Sequence, residues 1–286
     1  MSRRMTLAVP NKGRLVEPTL ELLHDAGLVF EERDRSLVSP VENVPLDILF
    51  VRTGDVVEFV RDGVADIGIT GADLLAESGT ELRVVRRLGY GRCRLAAAVP
   101  RDAAQGDVGE LAGLRVATAH PASTRSYFAA RDIPIEVITL SGAVEVAPRL
   151  GLADAIVDLV SSGVTLADNG LREVGSILSS EAILVCGPGV AEAADGLLER
   201  LDTMLGAVLA ARRRKYLLMN APAARRSALE SLLPGLESPS IVPLAHEGMI
   251  AIHAVVEADE IWDLLPRLKA AGASGILVLP IEKLVA

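Results

Sequence analysis

Short apolar runs alternate with helically spaced apolar residues from the start of the chain to about residue 186. Met5 to Val9, Leu46 to Val51 and Ala65 to Thr70 are nearly continuous apolar runs, as in strands buried on both faces. Between them, Pro18 to Ala26 and Asp55 to Asp62 carry helical spacing. The first of these has Pro18 in its opening turn and Gly27 at its end. The alternation resumes after Cys93. Arg94 to Val99, Leu114 to Thr118, Ile135 to Leu140 and Ala153 to Leu159 read as strands. Ser123 to Arg131 and Ala143 to Leu150 read as helices, and Val174 to Leu178 and Ala182 to Cys186 as further strands. Strands alternating with helices predict an α/β fold with parallel sheets.

The rhythm changes after Gly187-Pro188-Gly189. Leu197, Leu198, Leu201, Leu205 and Leu209 lie at helical spacing in one long stretch that ends in Arg212-Arg213-Arg214-Lys215. Cations at a helix C-terminus suit its dipole, and this is preferred to a nucleic-acid site. Then come a strand (Tyr216 to Met219), a helix (Ala223 to Leu233), two strands (Ser240 to Pro243, Met249 to Val256), a helix (Ala258 to Ala271) and a strand (Ser274 to Leu279). That βαββαβ order is ferredoxin-like. It sets a domain boundary near 212–215, and Trp262 is expected to pack the last helix.

Composition narrows the function. Of 286 residues, 50% are hydrophobic but only 3% aromatic, so the cores are aliphatic and stacking platforms for single-stranded nucleic acid are scarce. The net charge of −9 disfavours nucleic acid and anionic membrane as partners. An anionic substrate needs a local patch of Arg, Lys and backbone N–H groups. Cys93 and Cys186, far apart in sequence, read as buried thiols in strands rather than a zinc site or disulfide. Met1 to Val9 does not read as a signal peptide, and no run of about 18 apolar residues predicts a membrane span. A cytoplasmic protein is the expectation.

Four segments carry candidate chemistry. The most informative is Ala153 to Leu166, an apolar strand with two acids followed by Ser161-Ser162-Gly163-Val164-Thr165. Small residues let backbone N–H groups converge on an anion, hydroxyls add donors, and a helix N-terminus adds positive potential. Asp154 and Asp158, four apart, are expected to share one strand face. Carboxylates beside a phosphate make sense as acceptors for sugar hydroxyls or as metal ligands, which suggests a phosphorylated ribose. Read alone, the same residues also fit a turn with an Asp-capped end. Asn11-Lys12-Gly13-Arg14-Leu15 follows the first strand, where α/β sheets bind ligands, but also fits a solvated basic turn. Asp66 to Leu75 runs a buried strand into Thr70-Gly71-Ala72-Asp73, and Thr70 is either a helix cap or part of a ligand-facing turn. Leu88 to Leu95, preceded by Arg83, Arg86 and Arg87, concentrates cations suited to pyrophosphate or triphosphate. The alternative there is Arg alternating on a strand edge.

In this order, Val9 to Leu15, Asp66 to Asp73, Gly91 to Leu95 and above all Asp154 to Leu166 resemble the ATP phosphoribosyltransferases, and the βαββαβ tail resembles the extra domain of that family's long form. The resemblance implies a two-lobed, type II periplasmic-binding-protein-like catalytic part. Residues 1–92 plus 181–211 would form lobe I, 93–180 lobe II, and 212–286 a regulatory ACT-like domain. It implies joining of N1 of ATP to C1 of phosphoribosyl pyrophosphate with release of pyrophosphate, aided by Mg2+, as the first step of histidine biosynthesis. Asp154 and Asp158 would hold the ribose hydroxyls, and Ser161, Ser162, Gly163, Val164 and Thr165 the 5-phosphate. Lys12, Gly13, Arg14, Arg52, Asp73, Arg92 and Arg94 would contact ATP or pyrophosphate. Histidine would inhibit through Asn220, Leu236, Ser238, Ser240 and Gly275, with Asn220 a weaker ammonium partner than the Asp often found there. A homodimer or hexamer is implied. The rival is a non-catalytic cytosolic small-molecule sensor of the same two-lobed fold, which gives no reason for acids beside a phosphate turn.

Overall fold

A computed structural model of the chain describes residues 3–31, 36–190, 196–233 and 238–285. Two compact units divide it: Met1–Glu21 with Leu28–Leu198, and Leu22–Gly27 with Glu199–Ala286.

The first unit holds two sheets. One has six strands in the order β2-β3-β1-β4-β11-β5. These are β1 (Met5–Pro10), β2 (Val38–Pro40), β3 (Leu46–Val51), β4 (Ile67–Gly71), β5 (Arg83–Arg87) and β11 (Ala182–Cys186). Strands β3, β1 and β4 run parallel, with β1 at their centre. Helices α1 (Val16–Asp25), α2 (Val56–Arg61) and α3 (Ala72–Ser78) follow them.

The second sheet has the order β10-β6-β9-β7-β8. It comprises β6 (Cys93–Pro100), β7 (Arg115–Thr118), β8 (Glu136–Thr139), β9 (Ala155–Val160) and β10 (Leu171–Ser180), with α4 (Pro121–Ala129) and α5 (Val164–Asp168). The chain enters this sheet at Cys93 and leaves after Ser180, so each lobe has its own sheet in a periplasmic-binding-protein-like arrangement. Strands β9, β7 and β8 are parallel. Period-2 alternation sorts the core. Ala155 and Val157 join Leu95, Val116 and Phe128 on one face, while Ile156 and Val160 join Ala96, Ala117 and Leu166 on the other.

The sheets are mixed rather than wholly parallel. The chain returns from the second sheet as β11, which lies antiparallel between β4 and β5. Strand β5 bears out the strand-edge alternative: Arg83, Arg86 and Arg87 sit on a sheet edge, where charge guards against further pairing. The segment Ala143 to Leu150 gives only a single 3-10 turn, Val144–Val146, because Pro148 cannot continue a helix.

The second unit carries an antiparallel sheet in the order β13-β14-β12-β15, from β12 (Arg214–Pro222), β13 (Ser240–Pro243), β14 (Met249–Glu257) and β15 (Ser274–Pro280). Helices α6 (Leu197–Arg212), α7 (Arg226–Glu230) and α8 (Ile261–Ala270) complete it, in the expected ferredoxin-like order. Helix α6 belongs almost wholly to this unit, though the sequence places its residues up to 211 with lobe I. The carbonyl of Ala207 accepts the Leu284 N–H, tying the helix to the tail (3.0 Å). Leu217, Met219, Ile252, Leu264 and Leu268 form the core. Trp262 is not part of it: the ring is 86% exposed on the outer face of α8, while Leu264 and Leu268 take the inward positions.

Candidate active site

Because β7, β8 and β9 are parallel, their carboxyl ends share one edge of lobe II, and the loops leaving Thr118, Thr139 and Val160 line it. The third loop is Ser161-Ser162-Gly163, running into α5. Gly163 has φ +83°, a left-handed conformation that lets the chain reverse directly into the helix. The first N–H groups of a helix lack intrahelical partners, so this turn offers donors backed by the two serine hydroxyls and Thr165.

The two aspartates part company. Asp158 lies on β9 between Ile156 and Val160, on the apolar face. Its Oδ1 accepts its neighbour's N–H, from Leu159 (2.8 Å), and among the described residues it has no ion-pair partner. Burial pushes its carboxyl above the ordinary range, opposed by that N–H and by the charge of His120, and reinforced by Glu145. Asp154 precedes β9 at its amino end. It forms a bidentate pair with Arg115 (2.8 and 3.1 Å) and accepts the Arg115 backbone N–H (3.0 Å). Those hydrogen bonds hold its carboxyl below the ordinary range. At ~3.3 Å per strand residue, Asp154 stands roughly 20 Å from Ser161. The two acids thus share parity but lie toward opposite ends of the strand. Period 2 is right, but Asp154 is at the wrong end of the strand for a ribose held at the turn.

A cavity of about 400 Å³ opens beside the turn, lined by Arg87, Arg92, Cys93, Arg94, Ser161, Ser179, Ser180 and Glu181. Arg94 is held by Glu173 (2.9 and 3.0 Å) and donates to the Ser161 carbonyl (3.3 Å), so it shapes the turn from behind. Arg87 pairs with Glu181 (3.2 Å), and Arg92 lies 3.9 Å from the same carboxylate. Arg92, 68% exposed, is the cation here best placed to meet an incoming anion.

Lobe I presents its own carboxyl edge. Lys12, Gly13 and Arg14 follow β1 and Arg52 follows β3, all exposed. The Thr53 hydroxyl donates to the Lys12 carbonyl (3.3 Å), joining the two loops. Arg14 donates to Cys93 Sγ (2.8 Å), fixing this loop to the start of lobe II. Gly91 (φ +62°) lies so close to Leu15 that a Cβ would strike its side chain. Both cysteines are buried, as expected.

Asp73 is not available to a nucleotide. It is 3% exposed and accepts from Ser180 Oγ. Its Oδ2 lies 3.8 Å from His120 Nε2. Burial pushes its carboxyl up, but the adjacent His120 ring, hydrogen bonds from Ser180 and its own amide, and Arg14 nearby outweigh this and hold it low. His120, 7% exposed, was missed in the sequence, although His120-Pro121 marks the strand-to-helix turn after β7.

In the second unit, Asn220 on β12 faces Ser274 on β15, and a Cβ on Gly275 would lie 3.5 Å from Asn220 Nδ2. Ser240 is on β13, two strands away, or roughly 10 Å at ~4.8 Å per strand. Ser238 precedes β13, and Leu236 lies outside the described residues.

Residues 52–206 match the family model described as ATP phosphoribosyltransferase, and 211–283 match that of its C-terminal domain. The chain belongs to the ATP phosphoribosyltransferase family. The ATP phosphoribosyltransferase of Cytophaga hutchinsonii is 41% identical over 285 residues, covering 100% of both chains. That of Methanococcoides burtonii is 41% identical over 281 residues, covering 98% of this chain and 99% of its own. An ATP phosphoribosyl transferase (HisG:HisZ) complex from Thermotoga maritima superposes with a TM-score of 0.60 at 32% identity, over 71% of this chain and 98% of that one. An ATP phosphoribosyltransferase, then, carries this site: a glycosyl-type transferase of histidine biosynthesis, and the sensor reading is not favoured. Among the described residues no helix is long and apolar enough to cross a membrane.

Proposed function

We propose that the site joins ATP to phosphoribosyl pyrophosphate, with the sugar phosphate held by lobe II and the nucleotide by lobe I. The observation that carries this reading is Asp158, half-buried two residues before the end of β9 and without an ion-pair partner among the described residues, with the small-residue turn beyond the strand. Leaving a carboxylate on an apolar face costs stability, and a ligand whose hydroxyls hydrogen-bond to it compensates. Ser161, Ser162, Gly163, Val164 and Thr165 take the 5-phosphate. Asp158 accepts from the ribose hydroxyls. Arg92, with Arg87 and Arg94 behind it, faces the pyrophosphate. Lys12, Gly13, Arg14 and Arg52 meet the ATP phosphates. Asp154 and Asp73 are withdrawn from substrate contact.

The adenine N1 lone pair forms the new bond to C1 as the C1–O bond breaks and pyrophosphate leaves with the electron pair. The sugar carries oxocarbenium character at the crossing point, so a nearby ionised Asp158 stabilises it electrostatically. The chain's other work is alignment, which supplies several kcal/mol or more. Mg2+ suits this site as a companion of pyrophosphate rather than a protein-caged ion. Among the described residues no cluster of three acidic, His or Cys side chains exists, and Mg2+ commonly uses one or two carboxylates plus substrate phosphates. Asp158 or Glu181, which lines the cavity, would supply such a carboxylate, and the metal would neutralise the leaving group's charge.

In the second unit, Asn220 and Gly275 are the best-placed part of a histidine site, and a homo-oligomer in the cytoplasm is the working assembly. The test of the reaction is pyrophosphate release on mixing the protein with ATP, phosphoribosyl pyrophosphate and Mg2+. Release requiring all three is expected, and none with active reagents would overturn the reading.

A further inference from the structure

Helix α3 of lobe I carries two carboxylates one turn apart, Asp73 and Glu77, and both reach the same short stretch of lobe II. Glu77 Oε1 accepts the Ala122 N–H (2.8 Å) and its Oε2 accepts the Ser123 N–H (2.9 Å). These are first-turn donors of α4, which have no partner within their own helix. A carboxylate there satisfies two orphan N–H groups and lies at the positive end of the helix dipole. Asp73, four residues earlier on α3, meets His120 at the N-cap of α4 and Ser180 where the chain leaves lobe II. Its own N–H donates back to Ser180 Oγ (2.9 Å). Within lobe II the stretch is tied down again: His120 N–H donates to Thr118 Oγ1 (2.9 Å), and Thr124 Oγ1 donates to the His120 carbonyl (2.7 Å). The anchored residues leave the carboxyl end of β7, the strand beside β9 and Asp158.

We propose that Glu77, with Asp73, is a positioning residue for the transferase reaction: it braces the start of α4 from the opposite lobe and so fixes the carboxyl edge of lobe II against that of lobe I. Two consequences follow. The α4 N-terminus is already filled by a carboxylate, so the substrate's phosphate is left to the 161–165 turn. Further, the distance between the nucleotide loops and Asp158 depends on one helix rather than on the crossing strands alone. Alignment of two substrates is sensitive to such a distance, where a misplacement of about 1 Å can cost on the order of 10²-fold.

The inference rests on the two-substrate reading above, and the experiment separates their failures by running the parent chain in parallel. Glu77→Ala and Glu77→Gln are made in the full chain. Steady-state turnover is measured with both substrates, and hydrogen exchange is followed at Ala122 and Ser123. Expected for Glu77→Ala is faster exchange at those two amides and a fall of roughly tenfold or more in kcat, larger than any change in KM, with the melting transition retained. Glu77→Gln keeps one acceptor oxygen and recovers part of both. Parental kcat in Glu77→Ala, or a loss of kcat with exchange at 122 and 123 unchanged, overturns the inference. If Glu77→Ala fails to fold, Glu77→Gln decides by the same pairing of exchange and kcat. A parent chain inactive with ATP and phosphoribosyl pyrophosphate instead overturns the substrate reading, leaving the exchange result to judge the brace.

Discussion

The two ends of β9 each place an aspartate, and their settings are opposite. At the amino end Asp154 is half-exposed and clasped by Arg115, with its carboxyl lowered. Toward the carboxyl end Asp158 is half-buried, has no ion-pair partner among the described residues, and its carboxyl is raised. The first is what a fold does with an acid it uses for itself. The second is what it tolerates when the acid serves something else, since a chain that only had to fold would put an apolar residue between Ile156 and Val160. The same contrast separates the arginines: Arg94 and Arg115 are held closely by carboxylates, while Arg92 keeps only a 3.9 Å contact with Glu181 and is largely exposed in the cavity.

The largest expected effect comes from removing the unpaired acid. Asp158→Asn should reduce turnover on the order of 10²–10³-fold, the scale of losing one transition-state electrostatic contact. Yet it should fold at least as well as the parent at neutral pH. The sign follows from the raised carboxyl: between its unfolded and folded pKa the folded state binds more protons, so stability falls as pH rises through that window. Asn does not ionise and escapes the loss. Denaturant titrations of both proteins at pH 7 check this, and an Asn variant clearly less stable than the parent would assign Asp158 to the fold. In the parent, the acid limb of kcat/KM should also lie above the ordinary aspartate range.

Next is the turn. Gly163→Ala places a Cβ in a left-handed conformation at a cost of about 1–2 kcal/mol. The resulting displacement of the following N–H groups should raise KM for phosphoribosyl pyrophosphate by roughly tenfold, equivalent to one lost charged hydrogen bond of about 1.4 kcal/mol. Arg92→Ala should weaken the same substrate less, by roughly threefold to tenfold. The deficit should shrink at high salt, because exposed charges are screened. Smallest is Asp154→Asn. Turnover should stay near parental, and the melting temperature should drop slightly at neutral pH. That difference should vanish as pH falls through the lowered Asp154 pKa, where the parent also loses its ion pair.

Much of this was legible in the chain. Apolar runs mark the strands that bury both faces, and Ser161-Ser162-Gly163 marks the turn, because small residues and a positive φ leave a local signature. The βαββαβ tail was readable for the same reason. What escaped depends on distant partners. Spacing says that Asp154 and Asp158 share a face, but not that β9 begins at Ala155 or that Arg115, 39 positions earlier, waits at its amino end. Asp73 looks like a ligand-facing acid until Ser180 and His120 arrive from lobe II. Edge strand β5 could be offered only as an alternative, because its arginines break the apolar pattern. Trp262 misleads because a large aromatic suggests core, while Leu264 and Leu268 already fill it.

A crystal structure with phosphoribosyl pyrophosphate bound tests the central claim most directly. Expected are ribose hydroxyls on Asp158, the 5-phosphate on the amides of 161–165, and Asp154 still paired with Arg115. An empty turn, or a sugar held by Asp154 with Arg115 displaced, would contradict it.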